Sequence, residues 1–299
     1  EACILEFHQR LIDVLAKCGH PFRVFYVDDG STDTTCEKLV SLIDLDKRIT
    51  VIQLSRNFGH QAALAAGLEA ADGEIIITMD GDGQHPPELI PVLLEKYQEG
   101  YEIVQTKRRE TGKVSAFKRL SSRFFYWLIN KLGSTKIQPG TADFRLMTAN
   151  VVRAICAMPE YHRFLRGLIP WLGFKASYLE YDPEKRIAGR SKYTLAKMFN
   201  LAENAIFSFS LVPLRIGLLI GGLFFFMAFV EVVYVLSFWF SGRQDQLTPG
   251  WSSTIFVILI TGGSLMVMIS LLGIYIGQIH QEVKQRRLFI IRSVYPPKD

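Results

Sequence analysis

The chain has 299 residues, enough for one full catalytic domain and a further segment. A hydrophobic fraction of 49%, only 21% charged residues and a mean hydropathy of +0.17 exclude an ordinary soluble enzyme, and the apolar excess is concentrated in the last third. The net charge of +5 and pI near 9.0 suit contact with anionic lipid or phosphate-bearing substrates, and no nucleic-acid-binding signature accompanies them.

Residues 1–15 have helical apolar spacing, with Ile4, Leu5, Phe7, Leu11, Ile12, Val14 and Leu15 on one face. Doubly wound domains begin with a strand, so a strand is expected ahead of this helix. Phe22 to Val27 reads as a strand that ends at Asp28-Asp29-Gly30-Ser31, and Thr32 to Leu45 as the helix after it. A carboxylate at that strand end can hydrogen-bond a ribose hydroxyl or a base N–H. Ser31 can equally be only a helix N-cap. Ile49 to Leu54 is the next strand, leading into Ser55-Arg56-Asn57-Phe58-Gly59, and Gln61 to Ala71 an Ala-rich helix.

The run Glu74 to Gln84 (EIIITMDGDGQ) is the most informative in the chain. It reads as a buried strand ending in two carboxylates one residue apart. In extended backbone, residues i and i+2 share a side, so Asp80 and Asp82 can face one point. Gly81 and Gly83 leave room for phosphates to approach the backbone. Hard oxygen ligands of this kind suit Mg²⁺ or Mn²⁺ on a diphosphate. The bland alternative is an acidic Gly-rich turn.

Pro86-Pro87-Glu88 then starts a helix, and Tyr101 to Thr106 is another strand. This βαβα order predicts a mostly parallel sheet with helices on both faces. No G-x-G-x-x-G and no Walker A motif is present, which counts against a dinucleotide-binding dehydrogenase or a P-loop enzyme.

Residues 107–136 turn basic and aromatic, with helical spacing from Ser115 to Leu132. The segment reads either as a solvated basic helix or as one presenting Arg and Lys to a lipid phosphate at a membrane surface. Residues 192–210 look amphipathic. Two long apolar runs follow, about Val212 to Phe240 and Trp251 to Ile279, and each exceeds the roughly 20 residues that cross a bilayer. Glu231 inside the first run is expected to face another helix or another subunit, which points to a homo-oligomer. The short link between the runs is nearly neutral, and the tail carries Lys284, Arg286, Arg287, Arg292 and Lys298. By the positive-inside rule the tail and the catalytic domain face the cytoplasm. The expected organisation is a catalytic domain over residues 1–190, a juxtamembrane helix over 191–211, a two-helix hairpin over 212–279 and a basic tail over 280–299.

Cys3, Cys18, Cys36 and Cys156 are scattered and read as reduced, buried thiols. His85 reads as packing at a helix start. His60 and His162 give no usable signal.

Taken as a set, several stretches resemble one family. Asp28-Asp29-Gly30-Ser31 and the DGDGQ run are similar to the nucleotide-sugar-binding core of inverting family-2 glycosyltransferases. Thr141 to Leu146 (TADFRL), Arg163 to Gly167 (RFLRG), Trp171 to Phe174 (WLGF) and Arg186 to Tyr193 (RIAGRSKY) resemble the polyisoprenyl-phosphate branch, the dolichyl-phosphate mannose synthase-like enzymes, and within it the bacterial members that make polyprenyl-phosphate glucose. A first strand ending in a Pro-x-Tyr-Asn-Glu-Glu turn, usual in the family, is not part of the sequence.

The resemblance implies a GT-A-type α/β fold and transfer of one sugar, most simply glucose from UDP-glucose, to undecaprenyl phosphate at the cytoplasmic face of the inner membrane. Another sugar, or a non-catalytic nucleotide-sugar-binding scaffold, is the alternative. Asp29, Gly30, Ser31, Asp80 and Gly81 would hold the nucleotide sugar, with Arg186 and Lys192 closing over its charge. Asp80, Asp82 and Gln84 would bind Mg²⁺ or Mn²⁺. Arg119, Ser122, Arg123 and Arg145 would receive the acceptor phosphate. Asp143 would be a general base, an orienting group or, with Arg145, a structural ion pair.

Overall fold

The computed structural model describes residues 4–109, 138, 140–158, 160, 165–182, 184 and 250–297, with single positions between 219 and 242. The chain divides into two units. The first comprises residues 1–131, 135–202 and 285–299, and the second residues 132–134 and 203–284.

The first unit opens with α1 (Ile4–Lys17), whose Ile4, Phe7 and Leu11 are buried. β1 (Val24–Asp28), α2 (Thr35–Ile43), β2 (Ile49–Leu54), α3 (His60–Ala70) and β3 (Ile75–Thr78) follow in the expected order. A 3₁₀ turn at Pro87–Leu89 leads into α4 (Ile90–Gln98), and β4 spans Ile103–Arg108. Then come β5 (Thr141–Thr148), α5 (Ala149–Cys156), α6 (Leu165–Trp171) and β6 (Ala176–Tyr181).

Two sheets result, ordered β1-β2-β7 and β3-β5-β4-β6, with β7 (Ile291–Tyr295) supplied by the tail. The expectation of a mostly parallel sheet is corrected. β1/β2 and β4/β6 are parallel, whereas β3/β5, β4/β5 and β2/β7 are antiparallel. Every antiparallel pairing involves β5 or β7, neither of which the sequence pattern announced. Residues 285–297 are likewise more than a basic tail. Phe289 is buried beside Ile52, Leu54 and Ala65, and Ser55 N–H donates to Ile290 O at 2.9 Å.

Apolar side chains cover both faces. Phe144 and Leu146 of β5 pack with α1, α2 and α4, while Met147 packs with α3, α5 and α6. Period-2 alternation therefore puts Asp143 and Arg145 on the α3/α6 face with Met147. On α3, Ala62, Ala65 and Ala66 are at most 2% exposed. Such small side chains let a helix approach a sheet closely, and here they seat the N-terminus of α3 near the strand ends.

In the second unit, α7 (Trp251–Val283) covers the second expected apolar run. Its stretch Ile260–Val283 has a mean hydropathy of 1.8, none of it buried in the fold, and is the one described segment long and apolar enough to cross a membrane. The first expected span, Glu231, the amphipathic stretch 192–210 and the basic helix 115–132 lie wholly or largely outside the described residues. The described cysteines, Cys18, Cys36 and Cys156, are in no disulfide and are half-buried rather than fully buried.

Candidate active site

The carboxyl ends of β1 and β3 and the amino-terminal part of β5, which runs antiparallel to β3, carry the acidic motifs. At the end of β1, Asp28 is buried and both its oxygens accept the Ser31 N–H, at 3.3 and 3.2 Å. Asp29 reaches across the chain, accepting the Phe58 N–H at 2.7 Å and the Gly59 N–H at 2.9 Å. Gly30 makes this approach possible. Its φ is +64°, and a Cβ there would sit 2.4 Å from the Arg56 carbonyl carbon. The turn that the sequence assigns to the nucleotide thus also clamps the loop leading into α3.

The DGDGQ loop after β3 is folded on itself. Gln84 N–H donates to Asp82 Oδ1 at 3.0 Å, and Gly83 takes φ +78°, a left-handed turn position. Asp80 N–H donates to Nδ1 of His85 at 3.0 Å. That bond makes Nδ1 an acceptor, while Nε2 lies 3.1 Å from Arg108 Nη2. His85 is fully buried, stacked on Phe144 with ring centroids 5.4 Å apart. Burial lowers its pKa and Asp80 opposes that, while nearby Arg108 lowers it further. His85 is thus the packing residue the sequence indicates, and it also holds the metal-motif backbone.

Below the loop, Arg10 of α1 grips Glu88 through Nε and Nη2, both at 2.6 Å, and Glu184 through Nη1 and Nη2, both at 2.7 Å. Sequence reasoning assigned Arg10 nothing, because its partners lie 78 and 174 residues away.

The third carboxylate lies deeper. Asp143 is 2% exposed, and its side chain meets three basic groups. Arg145 Nη2 bonds Oδ1. Arg166 Nη2 bonds Oδ2 at 2.7 Å, and His60 Nε2 lies 3.2 Å from the same oxygen. Burial alone would raise the Asp143 pKa. The His60 hydrogen bond and the charges of Arg145 and Arg166 outweigh it and hold the carboxyl well below the usual range. The same contact with Asp143 raises His60, against the opposing effect of its own burial. Arg145 is 1% exposed and also donates to Ala142 O at 3.2 Å. It is turned inward onto Asp143 rather than toward solvent. Arg166 keeps 30% of its side chain exposed.

His60 links the two levels, because its Nε2 is also 3.4 Å from Asp80 Oδ1. That oxygen is buried and has no hydrogen-bond partner among the described residues. A buried, unbonded hard oxygen at the head of an Asp-x-Asp loop fits a divalent cation. No group of three His, Cys, Asp or Glu side chains forms a metal cage among the described residues. Of the residues expected from sequence, Asp29, Gly30, Ser31, Asp80, Gly81, Asp82, Gln84, Asp143 and Arg145 are described. Arg119, Ser122, Arg123, Arg186 and Lys192 lie outside the described residues.

Residues 1–155 match the model of the glycosyl transferase family 2 domain. The chain belongs to that family. As a member it is a glycosyltransferase, and its mixed α/β sheets fit the GT-A type. Several curated relatives match almost end to end. A prophage bactoprenol glucosyl transferase homolog of Escherichia coli is 38% identical over 92% of this chain and 90% of its own. A bactoprenol glucosyl transferase of Shigella phage SfII is 37% identical over 98% of this chain and 94% of its own. An uncharacterised glycosyltransferase of Bacillus subtilis is 37% identical over 99% and 91%.

Proposed function

We propose that this glycosyltransferase moves a single sugar, glucose from UDP-glucose in the simplest reading, to a polyprenyl phosphate such as undecaprenyl phosphate at the cytoplasmic face of the cell membrane. The observation that carries the reading is the meeting of the Asp80-Asp82 loop with the buried Asp143 cluster, in a chain that also holds a membrane-length apolar helix. The names of the phage and E. coli relatives supply the substrate class.

In this reading Asp29, Gly30 and Ser31 border the nucleoside, and Asp80, Asp82 and Gln84 hold Mg²⁺ or Mn²⁺ against the donor diphosphate. The ion would act there as a Lewis acid on the departing nucleoside diphosphate. Arg186 and Lys192 would add positive charge against the diphosphate. Arg119, Ser122 and Arg123 hold the acceptor phosphate, whose oxygen attacks the anomeric carbon as the bond to the diphosphate breaks, with inversion.

A base is not required for this step, since a lipid monophosphate is already ionised at neutral pH. Asp143 suits another role. A carboxylate engaged by two guanidinium groups and an imidazole is a weak base and a strong organiser. It fixes Arg166 and His60 beside the metal loop, and Arg145 compensates its buried charge.

The test uses the full-length protein in lipid with Mg²⁺, undecaprenyl phosphate and a panel of radiolabelled UDP- and GDP-sugars. The expected result is label in the organic phase from UDP-glucose, abolished by chelation. Label from a different donor would change the sugar and keep the reaction. No transfer from any donor, with nucleotide still bound, would overturn the reading in favour of a scaffold.

A further inference from the structure

A single ring nitrogen faces two carboxylates, one on β5 and one in the loop after β3. His60 Nε2 lies 3.2 Å from Asp143 Oδ2 and 3.4 Å from Asp80 Oδ1. The ring is half exposed, at 51% of its side chain, so it is not a core residue. The helix it begins is seated by Ala62, Ala65, Ala66 and Leu68 instead. Its placement comes from Gly59, whose φ is +99° and whose N–H is held by Asp29. The three residues Phe58 to His60 therefore join the Asp29 turn to both deeper carboxylates.

We propose that His60 is a positioning residue: anchored on Asp143, its imidazole stands between the two carboxylates, so that Asp80 stays presented to the donor's divalent cation. The proposal rests on the reading of Asp80 and Asp82 as metal ligands. Its physical basis is repulsion. Two carboxylates that lose the imidazole between them repel each other. Asp143 cannot yield, because Arg145 and Arg166 hold both its oxygens. Asp80 Oδ1 has no hydrogen-bond partner among the described residues, so Asp80 is the one that turns. His60 need not touch substrate to matter.

The experiment takes the full-length protein in lipid nanodiscs, unchanged and as His60→Ala, His60→Gln, Asp80→Asn and the His60→Ala/Asp80→Asn double variant. Mn²⁺ binding is read by electron paramagnetic resonance in the presence of UDP, kcat and KM by lipid labelling, and thermal melting on all five proteins. His60→Ala is expected to weaken Mn²⁺ binding about 10- to 100-fold, as loss of a group behind a metal ligand does. It should lower kcat more than it raises KM for the nucleotide sugar. His60→Gln, whose amide N–H reaches a carboxylate, should recover part of both. The melting shifts of His60→Ala and Asp80→Asn should be non-additive.

Unaltered Mn²⁺ affinity together with additive melting shifts overturns the proposal. So does failure of both His60→Ala and His60→Gln to fold, which would make the ring a core element. If the unchanged protein binds no Mn²⁺, the metal reading fails by itself, and the melting cycle alone decides the role of His60: additivity rejects it and coupling upholds it.

Discussion

Asp80 and Asp143 share one imidazole and have opposite surroundings. Asp143 is buried, with both oxygens taken by guanidinium groups and its pKa driven down. Asp80 lies at a loop, with a buried oxygen that bonds to nothing among the described residues. The difference separates two jobs that sequence alone runs together under the heading of acidic active-site residues. One carboxylate is completed by the protein, and so it contributes to the fold. The other is left incomplete, and on the proposed reading it is the one that serves the chemistry.

The sharpest way to break that contrast is Asp143→Asn. It strands Arg145 as a buried, uncompensated charge, and removing one partner of such a pair costs about 3–5 kcal/mol. A large fall in melting temperature is expected, with activity lost through the fold. Asp80→Asn and Asp82→Asn should behave in the reverse way. Lipid labelling is expected to fall by more than about 100-fold, beyond the range seen for groups that only support metal ligands, with little change in melting.

Gly30→Ala tests the joint beside these sites. Its Cβ would collide with the Arg56 backbone at a left-handed φ, so a loss of about 1–3 kcal/mol by chemical denaturation is expected, along with weaker UDP binding in calorimetry.

The smallest effect is on pH. The folded pKa of Asp143 lies below its unfolded value, so its stabilisation is fully present above the ordinary carboxylate range. It drains as pH falls below that range toward the folded value. Melting temperature should therefore hold near neutrality and decline below about pH 4. A flat profile down to pH 2 would mean that the three basic partners do not hold the ionised form.

The sequence made the Asp80 side of this contrast easy to see in the residues themselves, and showed the Asp143–Arg145 pair only through the family resemblance of its segment. An apolar strand closing on Asp-Gly-Asp-Gly is a local signal, complete within eleven residues. β5 gives no such signal. It is buried on both faces yet carries Asp143 and Arg145 inside, so neither alternation nor a continuous apolar run marks it. His60 and Arg166 owe their places to partners 83 and 23 residues away, and only the fold brings them together. The parallel α/β order of the first strands was legible because each strand-helix pair is local. The mixed character came from β5 and β7, whose neighbours in the sheet are remote in sequence.

β7 also gives this protein a timetable. The edge of β2 that it covers stays open until residues 291–295 have left the ribosome, long after β1, α2 and α3 are available to fold. By then the apolar helix has already been synthesised and must have found its own surroundings. Phe289, which completes the packing over Ile52 and Leu54, arrives equally late. Maturation of the catalytic unit is thus tied to completion of the apolar segment, and a nascent chain halted near residue 284 is expected to display an unpaired, aggregation-prone strand edge.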